Sequence, residues 1–544
     1  MKLLRVHIIA ATTCGGLLDG FDISLRDAST ELEIFDPMCL IGPNGAGKSQ
    51  FLQVIAEMFQ SIFHAVIPTE ERLEGNKDLQ FELEYLIRPE GTKTVAHVRV
   101  TRLAEGRRKP NLVIQKLVDD LWVDQPLKEE STLLLLPKKL VGYTSGDNET
   151  MSLPFFLSRS GYADEVGKNA LSDDKSAKEI PDTRLMLIDY GTHLEVLVAN
   201  LLLGESEHRT ALLQDARLDE INSFRCVIQL AHRAVPKISS KKKFGVTRKG
   251  VQLTQELEAY LDQLKRCATS YNVDSKTETY TFDFLVDEQT KAAFGFFWKS
   301  SLDLYSSFHK LAMLNDLAIP KITRDRFRKD TKARRFASRL PEPQDEQKVF
   351  RFEQVNFISK GGKSIVDYVS LSDGEHQLAQ LLGTFCMTSF SNVLFLLDEP
   401  ESHFNPQWRV KFISRLRDLP TSNGRRHEVS AASMQDCLLT THAPFVPSDM
   451  AREKVVIFGK NVESGDIEYR HPNVETYGAT FDAILAECFN IRPPMSEVPR
   501  QDIKELMQSN NVKEIEEGMS RLGHSVQKVL LADRLRRLEK KGEV

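Results

Sequence analysis

The stretch Ile41-Gly42-Pro43-Asn44-Gly45-Ala46-Gly47-Lys48-Ser49 constrains this chain more than any other, because it satisfies G-x-x-x-x-G-K-S/T in full and joins two apolar patterns. Before it, Asp36 to Ile41 reads as a buried strand; after it, Phe51, Leu52, Ile55, Met58 and Phe59 recur at helical spacing. Glycines free such a loop to turn its backbone N–H groups toward a phosphate at the positive end of the following helix. Lys48 would then reach the β/γ oxygens as a point charge, and the Ser49 hydroxyl would ligate Mg²⁺. The candidate nucleotide contacts are therefore Gly42, Pro43, Asn44, Gly45, Ala46, Gly47, Lys48, Ser49 and Gln50. A glycine-rich turn that binds nothing is the plainer alternative.

Three later segments supply, in order, further parts that nucleotide hydrolysis needs. Leu371-Ser372-Asp373-Gly374-Glu375 precedes a helical run from His376 to Phe385. Ser372 with Glu375 is a capping box, and the same geometry presents a hydroxyl and free N–H groups to an anion; Ser372 and Gly374 are the candidates. Val393 to Leu397 is an apolar strand that stops at Asp398-Glu399-Pro400. Desolvation disfavours two adjacent carboxylates at a buried strand end unless a cation is present, although solvated acids at a strand end are common. Asp398 is the expected Mg²⁺ ligand, beside Ser49, and Glu399 the group that orients and deprotonates water. Finally, Cys437 to Thr441 leads to His442, either a structural histidine or a sensor of the γ-phosphate.

Together these motifs resemble the ABC-class ATPase head, in the branch that includes the SMC, RecF and OLD proteins. The resemblance implies an α/β fold: a P-loop head of mixed sheet plus an antiparallel β subdomain, with a large, mostly helical insertion. It also implies ATP and Mg²⁺ as cofactors and a homodimer or higher homo-oligomer, in which Ser372 and Gly374 act in trans on ATP held by the partner's phosphate loop. Asp373 stands where the family signature commonly has a glycine. The segment Glu399 to Trp408, with His403 and Pro406, looks like the dimer-contact loop of the OLD-like branch. Tyr143 to Glu149 is the candidate glutamine loop, yet it contains no glutamine.

At 544 residues the chain accommodates about three domains. Hydrophobic residues at 41% and charged residues at 27% suit a globular protein, and a net charge of −5 confines any DNA contact to local patches. Cys14, Cys39, Cys226, Cys267, Cys386, Cys437 and Cys488 show no C-x-x-C spacing, which fits a reducing cytoplasm and no zinc site. Arg5 and His7 interrupt the apolar start, so Met1 to Ala11 reads as a first strand of the ATPase sheet rather than a signal peptide. No run is long enough to span a bilayer, and no membrane partner is expected.

The expected organisation is an N-lobe at 1–150, an insertion at 151–345, a C-lobe at 346–470 and a helical tail at 471–544. Leu79 to Arg88, Thr92 to Leu103 and Asn111 to Leu117 alternate as antiparallel strands. Sustained heptads are lacking in the insertion; helical patterns run over Thr192 to Leu203, Leu212 to Val235, Thr254 to Tyr271 and Asp287 to Leu317, with Thr277 to Val286 strand-like. Lys348 to Ile358 is expected to restart the sheet. Gly361-Gly362-Lys363-Ser364 imitates a second phosphate loop, but Phe357 stands where its first glycine should be, so a hairpin turn is expected. Arg500 to Met507, Val512 to Arg521 and Ser525 to Lys541 read as tail helices.

The densest basic stretch holds Lys321, Arg324, Arg326, Arg328, Lys329, Lys332, Arg334, Arg335 and Arg339, with Phe327 and Phe336 among them. It is either a DNA contact that tracks phosphates with some aromatic stacking or a solvated linker helix. Lys241 to Lys243 with Arg248 and Lys249 is a weaker patch. No metal cluster, G-x-S-x-G elbow or acidic cluster after His442 offers effector chemistry. Asp398 to Pro406 with Thr441 to Pro444 looks like the stand-alone ATPases of bacterial antiphage defence, of Septu, retron and restriction-associated types. That resemblance implies a sensor that regulates a separate nuclease or toxin chain. A RecF-like DNA repair or chromosome-maintenance ATPase and a scaffolding dimer are the rivals.

Overall fold

The apolar run before the phosphate loop forms a short, wholly buried strand, Met38–Ile41, and the sheet around it explains why it has no polar position. A computed structural model describes the chain except residues 13–14, 107, 146–148, 171–178, 190, 233–247, 333–342, 363, 422–423, 429 and 543–544, and the side chains of 149, 328, 330–332 and 541–542. The central sheet runs Ile467–Arg470, Val455–Lys460, Met38–Ile41, Asp436–Thr440, Val393–Asp398, Lys139–Thr144, Leu185–Ile188. Neighbours are parallel except for the antiparallel edge pair Val455–Lys460 with Ile467–Arg470.

Both faces of this sheet are covered, as parallel sheets require. Leu40, Leu394, Leu396 and Leu438 join one core with helix Lys48–Val66. Ile41, Phe395, Leu397 and Leu439 join the other, with helix Asp373–Met387. Alternate side chains thus serve opposite cores, which is why the strand before Asp398 reads as an unbroken apolar run. In helix Lys48–Val66, Phe51, Phe59 and Phe63 are fully buried. Burial of such side chains stabilises by about 1.5–3 kcal/mol each.

A six-stranded antiparallel sheet covers the far side of that helix, in the order Phe21–Ser24, Lys2–Ala10, Gln80–Ile87, Ala96–Leu103, Asn111–Val118, Leu121–Gln125. Lys2–Ala10 belongs here and not to the central sheet, which corrects the expectation for the N-terminus. Its Val6 and Ile8 point into the core while Arg5 and His7 sit at partial exposure, the alternation of a sheet packed on one face.

A second antiparallel sheet runs Ser270–Asp274, Thr279–Leu285, Leu218–Gln229, Phe350–Ser359, Ile365–Asp367. It brings two further corrections. Among its described residues, the run Leu212 to Val235 is not one helix: helix Ser206–Leu213 stops at its start, and Leu218–Gln229 is a strand whose Phe224 stacks on Phe284 at 4.4 Å. Phe350–Ser359 pairs with that strand, so it does not restart the central sheet. In both cases partners remote in sequence override the local pattern. The helix beginning at Gln255 likewise stops at Cys267, before the edge strand. The hairpin expected at Gly361 is present, with Gly361 and Gly362 at φ 82° and 67°; Lys363 lies outside the described residues.

Helices His193–Leu203, Glu288–Phe297, Ser301–Met313 and Asn315–Ala318 follow the helical patterns of the insertion. Tail helices Glu497–Gln508, Val512–Arg521 and Val526–Gly542 share a small core of Ile503, Ile515 and Leu531. No helix among the described residues is long and apolar enough to cross a membrane. Six cysteines are free and buried; Cys14 lies outside the described residues.

Candidate nucleotide-binding site

The site lies where the parallel strands end. Register sets Asp398 opposite Thr440 on one side and Thr144 on the other, while Thr440 stands opposite Leu40 of the loop strand. Carboxyl ends of adjacent parallel strands are where such sheets place their ligands.

Three glycines shape the loop that leaves Ile41. Gly42 has φ 146°, and a Cβ there would lie 2.3 Å from the Phe458 carbonyl oxygen. Gly47, at φ 84°, is the N-cap of helix Lys48–Val66 and has no side chain with which to cap it. The first-turn amides, including those of Lys48, Ser49 and Gln50, therefore remain available to an anion, as does the positive end of the helix dipole. Pro43, Asn44 and Gly45 are exposed at the loop tip, and Ala46 is buried. Lys48 folds back over the loop, its Nζ donating to the carbonyl oxygens of Gly42 at 3.0 Å and Pro43 at 3.2 Å. Burial holds its pKa below the ordinary value, against the pull of Glu399 and Asp398.

Two hydroxyls converge on one carboxylate oxygen. Ser49 Oγ donates to Asp398 Oδ1 at 2.9 Å, and Thr440 Oγ1 donates to the same oxygen at 2.6 Å. This set of hard oxygen donors fits Mg²⁺. Thr440 Oγ1 also accepts the Glu399 amide N–H at 3.0 Å. Glu399 occupies the left-handed region at φ 48°, a conformation that costs a non-glycine residue roughly 1–2 kcal/mol and that clusters at functional sites. Its carboxylate lies 3.3 Å from His442 Nε2; that bond, helped by the His442 and Lys48 charges, keeps it below the usual glutamate pKa against the upward push of burial.

This is a P-loop ATPase fold. Lys48, Ser49, Asp398, Glu399 and His442, distant in sequence, are drawn together at one end of the central sheet. Ser372 is not among them: its amide and hydroxyl both donate to Glu375 Oε2 at 2.8 Å, which closes the capping box. Gly374 has a local reason to be glycine, because a Cβ would meet the His403 carbonyl oxygen at 2.8 Å and Trp408 at 3.4 Å. The signature turn is thereby packed on the segment expected to contact a second copy.

Sequence reasoning gave no role to Thr440, Thr441, Glu401 or Gln377. The paired threonines at the end of an apolar strand were the available signal. Gln377 Nε2 donates to Ser145 O at 2.6 Å, so a glutamine reaches the glutamine-loop candidate from helix Asp373–Met387; residues 146–148 of that candidate lie outside the described residues.

The basic stretch divides. Arg324 is withdrawn from any phosphate: it is buried, ion-paired with Asp164, and donates to Ile319 O. Lys321, Arg326 and Lys329 are exposed on helix Lys321–Lys332. The side chains of Arg328 and Lys332, together with Arg334, Arg335, Arg339 and Lys241 to Lys243, lie outside the described residues. Arg248 is engaged with Glu258 and Tyr280.

Residues 289–449 match a family described as "AAA domain, putative AbiEii toxin, Type IV TA system". That span holds Ser372, Asp398, Glu399 and His442 and stops short of Lys48. No curated protein matches. Among solved structures, the SMC head domain from Thermotoga maritima is 10% identical, with 87% of this chain and 100% of that chain covered, at a TM-score of 0.31. The Smc head domain with an extended coiled coil from Pyrococcus furiosus, bound to the C-terminal domain of ScpA, is 10% identical over 86% and 96% of the two chains, at a TM-score of 0.29. The fold assignment rests on the strand order and loop geometry described above.

Proposed function

We propose that this chain binds and hydrolyses ATP as a dimer, and that its nucleotide state regulates a separate nuclease or toxin in antiphage defence. The convergence of Ser49 and Thr440 on Asp398, with the Glu399–His442 pair alongside, carries the hydrolytic part of the reading. The family description over residues 289–449 and the resemblance of Asp398 to Pro406 support the defence part.

In this reading the amides of Gly45 to Ser49 cradle the phosphates and Lys48 swings from its own loop carbonyls to the β/γ oxygens. Mg²⁺, held by Ser49 and Asp398, would neutralise charge developing on those oxygens. The Glu399 carboxylate accepts the proton of the attacking water, and the single N–H of His442 Nε2 is shared, as a three-centre bond, between that carboxylate and the γ-phosphate. Ser372 and Gly374 complete the site of the partner subunit. Exposed Lys321, Arg326 and Lys329 are the DNA contacts we put forward.

The purified 544-residue chain is expected to hydrolyse ATP in a Lys48-dependent manner. Glu399→Gln should lower kcat by about 100-fold or more while ATP-bound dimers accumulate in light scattering; undiminished turnover would remove Glu399 from its role. Purification from the native host separates the biological readings. A co-purifying nuclease or toxin supports regulation of an effector, whereas selective binding of gapped DNA without such a partner turns the assignment toward repair.

A further inference from the structure

The two threonines that end strand Asp436–Thr440 and begin the next loop bond to different parts of the acidic turn. Thr440 holds Asp398 and the Glu399 amide. Thr441 Oγ1 donates to Glu401 Oε1 and accepts the Ala443 amide N–H at 2.9 Å. Glu401 is 2% exposed, and its second oxygen, Oε2, has no hydrogen-bond partner among the described residues. Around it stand Glu399, Arg409, Tyr143 and Cys39. Burying a carboxyl that is satisfied on one side only is unfavourable, so packing alone does not explain its presence.

What the bond does is join two loops. Glu399 and His442 retain 42% and 34% of their side-chain exposure, so water competes for their contact and burial cannot fix it. The fixed points lie behind them: Thr440 on one residue of the pair, and the Glu401–Thr441–Ala443 clasp spanning the other. We infer that Glu401 is a positioning residue for hydrolysis, which through Thr441 locks residues 441–443 to residues 398–401 and so holds His442 Nε2 against the Glu399 carboxylate. The inference rests on the roles given above to Glu399 and His442.

ATP hydrolysis by the full chain tests it, with Lys48→Ala as the blank. Glu401→Ala and Thr441→Val are expected to lower kcat about tenfold or more while KM for ATP stays within about twofold. Glu401→Gln keeps an oxygen that accepts from Thr441 and should stay within about threefold of the unmutated rate, a rescue that loss of shape alone would not give. Should Glu401→Ala fail to fold, Thr441→Val decides. Wild-type kcat in Thr441→Val or in Glu401→Ala, while Glu399→Gln is slowed, overturns the positioning role and leaves the proposed function standing. Absence of Lys48-dependent hydrolysis in the unmutated chain overturns both.

Discussion

Glu195 shows how much a single buried group can say about solution behaviour. It is 5% exposed on helix His193–Leu203, its Oε2 has no partner among the described residues, and burial pushes its pKa up to about 8. Asp189 pushes in the same direction, while Lys348 and Arg159 oppose it. Because the folded pKa lies above the ordinary 4.5, the group favours the folded state fully below the ordinary value and loses that contribution as pH rises toward 8. Glu195→Gln should therefore flatten the fall of Tm between about pH 5 and about pH 9 in scanning calorimetry; parallel profiles for variant and parent would show that the carboxyl does not titrate there. Nothing in the local sequence marks Glu195, since its burial comes from elements far along the chain. Lys48, Ser49, Asp398, Glu399 and His442 were legible because their chemistry resides in short contiguous patterns. Glu401 and Thr441 were not, because their bond exists only once two strands lie side by side.

Among the elements, helix Lys321–Lys332 separates charge that supports the fold from charge that faces solvent. Arg324→Ala removes a buried guanidinium together with its ion pair to Asp164, and is expected to cost about 1–3 kcal/mol in denaturant unfolding with little change in nucleic-acid affinity. Lys321→Glu with Lys329→Glu should leave stability within about 0.5 kcal/mol. If the helix tracks a phosphate backbone, the same pair makes the slope of log affinity against log salt shallower by about 1.4 in fluorescence anisotropy with single-stranded DNA. An unchanged slope would return the helix to a solvated face. Composition revealed the basic run but could not sort it, since the pairing of Arg324 crosses 160 positions. The strand Leu218–Gln229 was misread for a related reason: its apolar residues answer to Thr279–Leu285 and Phe350–Ser359 on either side.

On the scale of the whole molecule, the proposed two-copy arrangement has its own signature. Mixing Lys48→Ala chains with Ser372→Arg chains, each inactive alone, should restore about a quarter of the parental turnover, because half of the randomly formed pairs carry one intact composite site. No recovery would mean that each copy completes its own site. The central sheet also fixes the order of events in making the protein. The strand that carries the phosphate loop ends at Ile41, and the two strands that flank it begin at Asp436 and Val455. At about 5–20 residues per second, the ribosome needs roughly 20–80 s to deliver that first neighbour. Throughout that interval the nascent loop strand has neither of its lateral partners, and a growing chain with an open apolar edge is a natural client for chaperones.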